Sequence, residues 1–359
     1  MSAPAHENTL TEADTRAVAA TLDRYFERQI ARADHYGQTY RRLWEATRDA
    51  ARGGKRLRPA LLLLAYRHLA GETGPLPADV LELAAALELL HTAFVIHDDV
   101  IDHDLVRRGR PNVAGRAVVE AIDAGARSES ASGYGQASAI LAGDLLISSA
   151  HTMVAGLRAP ASRRRALLEL LDDCVLRTAA GEHADVWLAV AAAPSEETVI
   201  SVVENKTAGY SFATPLQAGA ILAGAHGDTL AGLGEVGHHL GIAFQLRDDV
   251  LGVFGDEHIT GKSAISDLRE GKETLLVAYA RRHPRWPRVQ HHFGRRDLDE
   301  RSADQLRRAI RDSGALARVE QRIDAELDRA RSTMRALDAP HQLFASVIAI
   351  SDTVRTRQR

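Results

Sequence analysis

A single cysteine, Cys174, among 359 residues leaves no partner for an intramolecular disulfide, and such a chain suits a reducing cytosol. A cytoplasmic protein is therefore expected. A formal net charge of −3 offers no global attraction to nucleic acid or to an anionic membrane, so nucleic acid is not expected as a partner. Residues 1–14 are polar and lack the apolar run of a secretory signal. No uninterrupted apolar stretch reaches bilayer length: 81–96 carries Glu and His, and 186–193 is too short. No transmembrane segment is expected.

Aromatic residues are also scarce, at 5%, and no run of strict apolar–polar alternation is sustained. Ala, Leu, Arg and Glu dominate instead. Apolar residues recur at helical spacing almost throughout, which predicts an all-α protein. The length permits a large core and by simple arithmetic two domains. No composition shift marks a boundary, so we expect one large helical domain over 15–359, preceded by a disordered tail over 1–14. Gly53-Gly54 precedes a helix with Pro59 at its start, and 71–77 reads as a loop. Ser, Gly and Ala in 125–136 suggest a mobile loop. Ser195 can cap a helix whose first turn carries Glu196 and Glu197. The segment 281–299, rich in Pro, His and Arg, reads as an irregular connection.

The chemistry-bearing side chains gather in 88–112. An apolar helix gives way between His97 and Asp104 to six imidazole or carboxylate side chains, and Arg107-Arg108-Gly109-Arg110-Pro111 follow. Asp98 and Asp102 lie one above the other on a helix, with Asp99 beside them. Like charges at this spacing destabilise a helix by a few tenths of a kcal/mol, and a divalent cation offsets that. Magnesium takes one or two carboxylates while substrate phosphates fill other positions, and the adjacent arginines suit those phosphates. Taken alone, such a cluster is more often a solvated helix end.

Other motifs bear on that choice. Gly53-Gly54-Lys55-Arg56-Leu57-Arg58-Pro59 lets the backbone approach an anion while Lys55 and Arg58 project from a helix N-terminus. Ala142-Gly143-Asp144 follows the presumed loop. Glu182 and Asp185 lie on a helix, where structural pairing is at least as good an account as catalysis. Lys206-Thr207 and Tyr210 fall within about one helical turn. Gln245-Leu246-Arg247-Asp248-Asp249 then repeats the apolar-helix-to-aspartate layout. Gly261-Lys262 and Asp267 to Lys272 resemble a phosphate-facing loop. Two acidic clusters with nearby cations point to one site in which metal ions bridge them through a diphosphate.

Taken together, these motifs resemble the trans-prenyltransferases, or isoprenyl diphosphate synthases, over about 53–276. The resemblance implies a helical bundle around a central cavity, a homodimer, and magnesium-dependent condensation of an allylic diphosphate with isopentenyl diphosphate, three Mg²⁺ ions being bound with substrate. By motif, Asp98, Asp99 and Asp102 match the first metal cluster, with Asp98 and Asp102 as direct ligands. Asp248 and Asp249 match the second. Lys55, Arg58, His91 and Arg108 match the isopentenyl diphosphate site. Arg107, Lys206 and Lys262 match groups that hold the allylic diphosphate, and Thr207 and Gln245 match groups near the developing cation, with Tyr210 nearby.

Three positions depart from the family pattern. Gly252 stands where the second motif usually has a third aspartate, Glu182 replaces a glutamine, and Ile265 replaces a common glycine. Phe94 lies one turn before Asp98, and Ala93 beside it is small. By family analogy this pair suggests geranylgeranyl diphosphate as product, with farnesyl diphosphate second. The competing readings are a non-catalytic regulatory subunit, favoured only by the departures, and a terpene cyclase, which would not need the Lys55–Arg58 loop.

Overall fold

Helical periodicity is realised almost throughout. A computed structural model describes residues 12–190, 194–255, 265–337 and 339–357. In order come α1 (Glu12–Ala33), α2 (Gln38–Ala50), α3 (Leu57–Ala70) and α4 (Ala78–Ile101). A hairpin of β1 (Val106–Arg107) and β2 (Arg110–Pro111) leads to α5 (Val113–Asp123), α6 (Ser128–Ala155), α7 (Ala161–Val190) and α8 (Glu196–Val203). A π-helix (Glu204–Ala213) precedes α9 (Thr214–Ala223) and α10 (Gly227–Phe254). The chain ends with α11 (Ser266–Glu270), α12 (Leu275–Ala280), α13 (Glu300–Asp312), α14 (Ala315–Ala336) and α15 (His341–Thr356). The all-α expectation holds, β1 and β2 being the sole strands among the described residues.

The chain divides into two compact units. Unit 1 comprises the described residues of Met1–Arg67 and Gly71–Glu169; unit 2 comprises those of His68–Ala70 and Leu170–Arg359.

In unit 1, α4 is apolar on nearly every side, as a core helix must be. Leu83, Ala84, Ala85, Ala86, Leu89 and Ala93 are fully buried, and the helix packs on α1 and α6. A side chain at Gly143 of α6 would overlap the His97 ring, standing 2.5 Å from its Cδ2. Where α5 meets α6, a Cβ on Gly135 would lie 2.6 Å from Val118 Cγ2 and 2.8 Å from Ala114 O. Of the small residues of 125–136, Ala131 and Gly135 are buried, and Gly135 is a packing contact. The mobile loop expected there shrinks to the turn before α6, which begins at Ser128. Residues 12–14, expected in the N-terminal tail, form the start of α1. Asp14 sits in the first turn of α1, 7% exposed, and accepts a hydrogen bond from Arg67 Nη2 at 2.7 Å.

In unit 2, α10 is the central helix, burying Leu233, Val236, Leu240, Ala243 and Leu246 against α14 and the π-helix. Two of its glycines allow close approach. A Cβ on Gly237 would stand 2.6 Å from Ala213 N, and one on Gly241 2.5 Å from Ala208 Cα. A polar network joins α10 to α14. Fully buried Glu326 lies 2.7 Å from His239 Nδ1 and accepts from Arg322 Nε at 2.6 Å and Arg329 Nη1 at 2.8 Å. Arg247 adds a bidentate pair to Glu320 at 2.7 and 2.6 Å. Ser195 Oγ accepts from Thr198 N at 3.2 Å, capping α8 as expected. Residues 281–299 form short 3₁₀ turns and irregular chain.

Averaged hydropathy passes two helices that a search for uninterrupted apolar runs rejects. By length and composition, α4 and α6 are long and apolar enough to cross a membrane, and 67% and 39% of their most apolar stretches are buried inside the fold. The α4 figure is that of a core helix.

Candidate active site

In unit 1 the predicted residues collect at the C-terminal end of α4. Asp98 and Asp99 occupy its last turn and Asp102 is its C-cap. The helix dipole is negative there, so each carboxylate is disfavoured by about 0.3–1 kcal/mol before a cation is counted. Arg107 supplies one. Its Nε donates to Asp99 Oδ1 at 2.6 Å and its Nη2 to Asp98 Oδ2 at 3.2 Å. Asp99 is only 3% exposed; burial pushes its carboxyl upward, and Arg107 opposes the shift. Asp99 is thus turned inward as the anchor of Arg107, whereas Asp102, one turn beyond Asp98, is exposed.

A hairpin delivers Arg107. Val106 pairs with Pro111 and Arg107 with Arg110, and the two turn residues, Arg108 and Gly109, have φ of +54° and +71°. Positive φ at both positions is the primed-turn geometry that matches strand twist. The turn lays the Arg108 guanidinium over the Gly53–Gly54 loop: a Cβ on either glycine would stand 3.6 Å from one of its nitrogens, and both glycines have φ of +79°. Arg56 follows at φ +50°. Its Nη1 donates to Glu88 Oε2 at 2.6 Å and its Nη2 to Ala51 O at 2.9 Å, with the ion pair's side chains only 14% and 6% exposed.

Arg56, His103 and Arg108 are the non-glycine residues at positive φ among those described, and all three lie in this cluster. Such backbone costs on the order of 1–3 kcal/mol each and collects at functional sites. Lys55 is exposed and Arg58 half-buried beside it. His91 is pushed well below its ordinary range by desolvation first, then by Arg58, Arg108, Arg107 and Arg56. Of these four guanidiniums, Arg56 is paired with Glu88 and Arg107 with Asp98 and Asp99. His97 packs into the notch at Gly143, its Nε2 3.3 Å from Ile140 O and 3.5 Å from Asp144 Oδ1.

In unit 2, Lys206 projects from the π-helix to Asp185 Oδ2 at 2.7 Å and Glu182 Oε1 at 3.1 Å. The two helices touch backbone to backbone: a Cβ on Gly181 would lie 2.7 Å from Lys206 Cα. The structural pairing foreseen for Glu182 and Asp185 is therefore present, and the Glu182 departure gives Lys206 a second anion. The wider turn of the π-helix carries Lys206, Thr207 and Tyr210, all half-buried; π geometry is frequent at functional sites.

On α10, Gln245 Nε2 donates to Asp249 Oδ1 at 2.9 Å, and Lys272 Nζ donates to the same oxygen at 3.0 Å. Asp249 is 4% exposed, and burial pushes its carboxyl up to about 6, with Lys272 opposing and Asp267 adding. Asp249 and Asp267 in turn push the Lys272 ammonium upward against its burial. Lys272, expected in a phosphate-facing loop, thus donates to Asp249 with its side chain 38% exposed. Gly261 and Lys262, expected in the same loop, lie outside the described residues. The side chain of Asp248 is 35% exposed and pairs with Arg357 Nη2 at 3.0 Å, while that guanidinium stacks over Phe244 at 4.2 Å. Ile265 is buried with φ −119°, an ordinary conformation that needs no glycine.

Among the described residues, no three His, Cys, Asp or Glu side chains gather into a metal cage. Magnesium asks for less: one or two carboxylates, completed by waters and substrate phosphates. Asp98 with Asp102 meets that requirement, and so does the partly exposed Asp248. A cavity of about 210 Å³ between α2, α5 and α6, lined by Arg42, Arg116, Glu120 and Tyr134 among others, includes none of the predicted site residues. Sequence reasoning missed Arg56 and Glu88. The available signal was Glu88 itself, an acid in the most apolar stretch of α4, which demands a buried cation.

Comparison with known proteins gives the same picture. The polyprenyl synthetase profile matches residues 41–310. The chain is 37% identical over 298 residues to the geranylfarnesyl diphosphate synthase of Aeropyrum pernix, covering 80% of this chain and 85% of that one. It is 36% identical to the geranylgeranyl diphosphate synthase of Methanosarcina mazei over 64% of each. Its fold is similar to that of a geranylgeranyl pyrophosphate synthase from Corynebacterium glutamicum complexed with isoprenyl diphosphate and magnesium. That similarity has a TM-score of 0.88 at 30% identity, over 96% of this chain and 99% of that one. The fold and these relatives define a trans-prenyltransferase, an enzyme that makes isoprenyl diphosphates. The chain belongs to the polyprenyl synthetase family.

Proposed function

We propose that this enzyme uses Mg²⁺ to condense isopentenyl diphosphate with an allylic diphosphate, and that its product is geranylgeranyl diphosphate. The His91 pocket carries the reading. Burial first, then the charges of Arg58, Arg108, Arg107 and Arg56, push His91 well below its ordinary range; the Arg108 guanidinium lies over the Gly53–Gly54 loop that leads to Lys55 and Arg58, a cationic set that suits a diphosphate. In this reading Lys55, Arg58, His91 and Arg108 bind isopentenyl diphosphate. Arg107, Lys206 and Lys262 hold the allylic diphosphate, Lys262 on the strength of the motif alone. Asp98, Asp102 and Asp248 are the metal ligands, while Asp99 and Asp249 hold Arg107 and Lys272 in place. A cytoplasmic homodimer is the proposed form, supported by exposed Val119 and Ile122 on α5 and Ile140 and Leu141 on α6.

Bound magnesium would neutralise the diphosphate leaving group and so ease rupture of the allylic carbon–oxygen bond. Arg107 and Lys206 stabilise the same developing charge. The allylic carbon then bonds to the terminal alkene carbon of isopentenyl diphosphate, and the adduct loses a proton to the released pyrophosphate. Gln245 spends its amide N–H on Asp249, which leaves its carbonyl oxygen as the negative end available to the cation; Thr207 offers a hydroxyl oxygen.

A second reading, farnesyl diphosphate, is favoured by half-buried Phe94, the bulky group one turn before Asp98, since Ala93 beside it is fully buried. Incubating the purified chain with Mg²⁺, isopentenyl diphosphate and dimethylallyl, geranyl or farnesyl diphosphate, followed by mass spectrometry, tests both. Geranylgeranyl diphosphate is expected to accumulate. A farnesyl end point would favour the second reading, and no elongation from any primer would overturn both.

A further inference from the structure

The two acidic clusters of this chain differ at one position. Four residues after Asp98 stands Asp102; four residues after Asp248 stands Gly252. Gly252 lies inside α10 with an ordinary φ, so its backbone does not require glycine. A glycine inside a helix costs about 1 kcal/mol relative to alanine, and space is what it provides. A Cβ at 252 would overlap Asp267 Oδ2 and stand 2.6 Å from its Cγ and 2.9 Å from Oδ1. The carboxylate that the second cluster lacks in α10 is therefore present in the same place, delivered by the first turn of α11.

We propose that Asp267 supplies the third carboxylate of the second metal cluster, and that Gly252 is the notch that admits it. The inference rests on Asp248 as a metal ligand, as proposed above. The Gly252 notch seats the Asp267 carboxylate against the turn of α10 that follows Asp248 and Asp249. Asp267 acts as a positioning residue, orienting Lys272 and the water shell of the ion held by Asp248.

The test uses the full chain and the variants Asp248→Ala, Asp267→Asn, Asp267→Ala, Gly252→Ala and the swap Gly252→Asp/Asp267→Ala. Mn²⁺ binding in the presence of inorganic pyrophosphate is read by electron paramagnetic resonance, alongside the Mg²⁺ concentration for half-maximal turnover and the melting temperature. Asp267→Asn and Gly252→Ala are expected to weaken Mn²⁺ binding about 10-fold or more, as loss of an outer carboxylate does. The swap, which returns a carboxylate to the +4 position, is expected to recover most of the loss seen in Asp267→Ala. Unchanged Mn²⁺ affinity in Asp267→Asn, or a swap no better than Asp267→Ala, would overturn the inference. Asp248→Ala separates the two levels. If it abolishes Mn²⁺ binding while Asp267→Asn does not, only the role of Asp267 fails; if it too has no effect, the metal reading itself fails.

Discussion

The Arg56–Glu88 pair sets a quantitative test of how the cationic loop is held. Replacing Glu88 with Met keeps most of the volume but strands a guanidinium that is 14% exposed. Removing one partner of a buried pair costs about 3–5 kcal/mol. For a unit of this size each kcal/mol is about 2–4 °C, so the melting temperature should fall by roughly 6–20 °C. Replacing both partners with Met removes the stranded charge and leaves chiefly the lost bond to the Ala51 carbonyl, about 1 kcal/mol. The double variant should therefore be more stable than the single one.

Function should follow the anchor. Arg56 holds the chain between Lys55 and Arg58 at positive φ, so Glu88→Met should raise the KM for isopentenyl diphosphate while leaving that for the allylic substrate nearly unchanged. Thermal melts by circular dichroism and steady-state kinetics of the single and double variants measure both effects. A single variant within 1 kcal/mol of wild type, or a double variant no more stable than the single, would refute the assignment.

Asp98→Ala should lower turnover by about 10³-fold, the loss of several kcal/mol of charge stabilisation, with circular dichroism unchanged; normal kinetics would remove Asp98 from the metal site. Phe94→Ala should lengthen the product by at least one isoprene unit in mass spectra, and an unchanged distribution would dismiss Phe94. Gly181→Ala forces a methyl against the backbone of Lys206 and should cost about 1–3 kcal/mol in urea unfolding, with a raised KM for the allylic diphosphate. Burial pushes Glu326 up, but His239 and Arg322 prevail and hold its carboxyl below the usual range. A depressed carboxylate stabilises above its unfolded pKa and loses that contribution as pH falls through the folded value. Glu326→Gln should therefore cost about 3–5 kcal/mol at neutral pH, and the gap from wild type should narrow below about pH 4.

Local chemistry was legible in the sequence because it is carried by neighbours in the chain. The 3.6-residue period announced the helices, the Ser195 cap marked the start of α8, and Asp98, Asp102, Lys55 and Arg58 were visible within single motifs. Composition misled where one residue type serves two ends. Ser, Gly and Ala in 125–136 looked like a loop, yet Gly135 is small because α5 and α6 touch there. The hairpin escaped notice because its strands are two residues long, too short for any alternation to register.

Only the tertiary structure decided how these residues divide their work, since that depends on partners distant in sequence and on burial. Asp99, adjacent to Asp98, is turned inward to Arg107, while Arg56, between two loop cations, is taken into the core by a glutamate 32 residues away. Lys206 is set by carboxylates on α7, and Asp267 reaches the space left at Gly252. Residue type and spacing thus determined which charges the enzyme carries. Packing, by desolvating some carboxylates and leaving others open, decided which of them stay exposed and which hold other side chains in place.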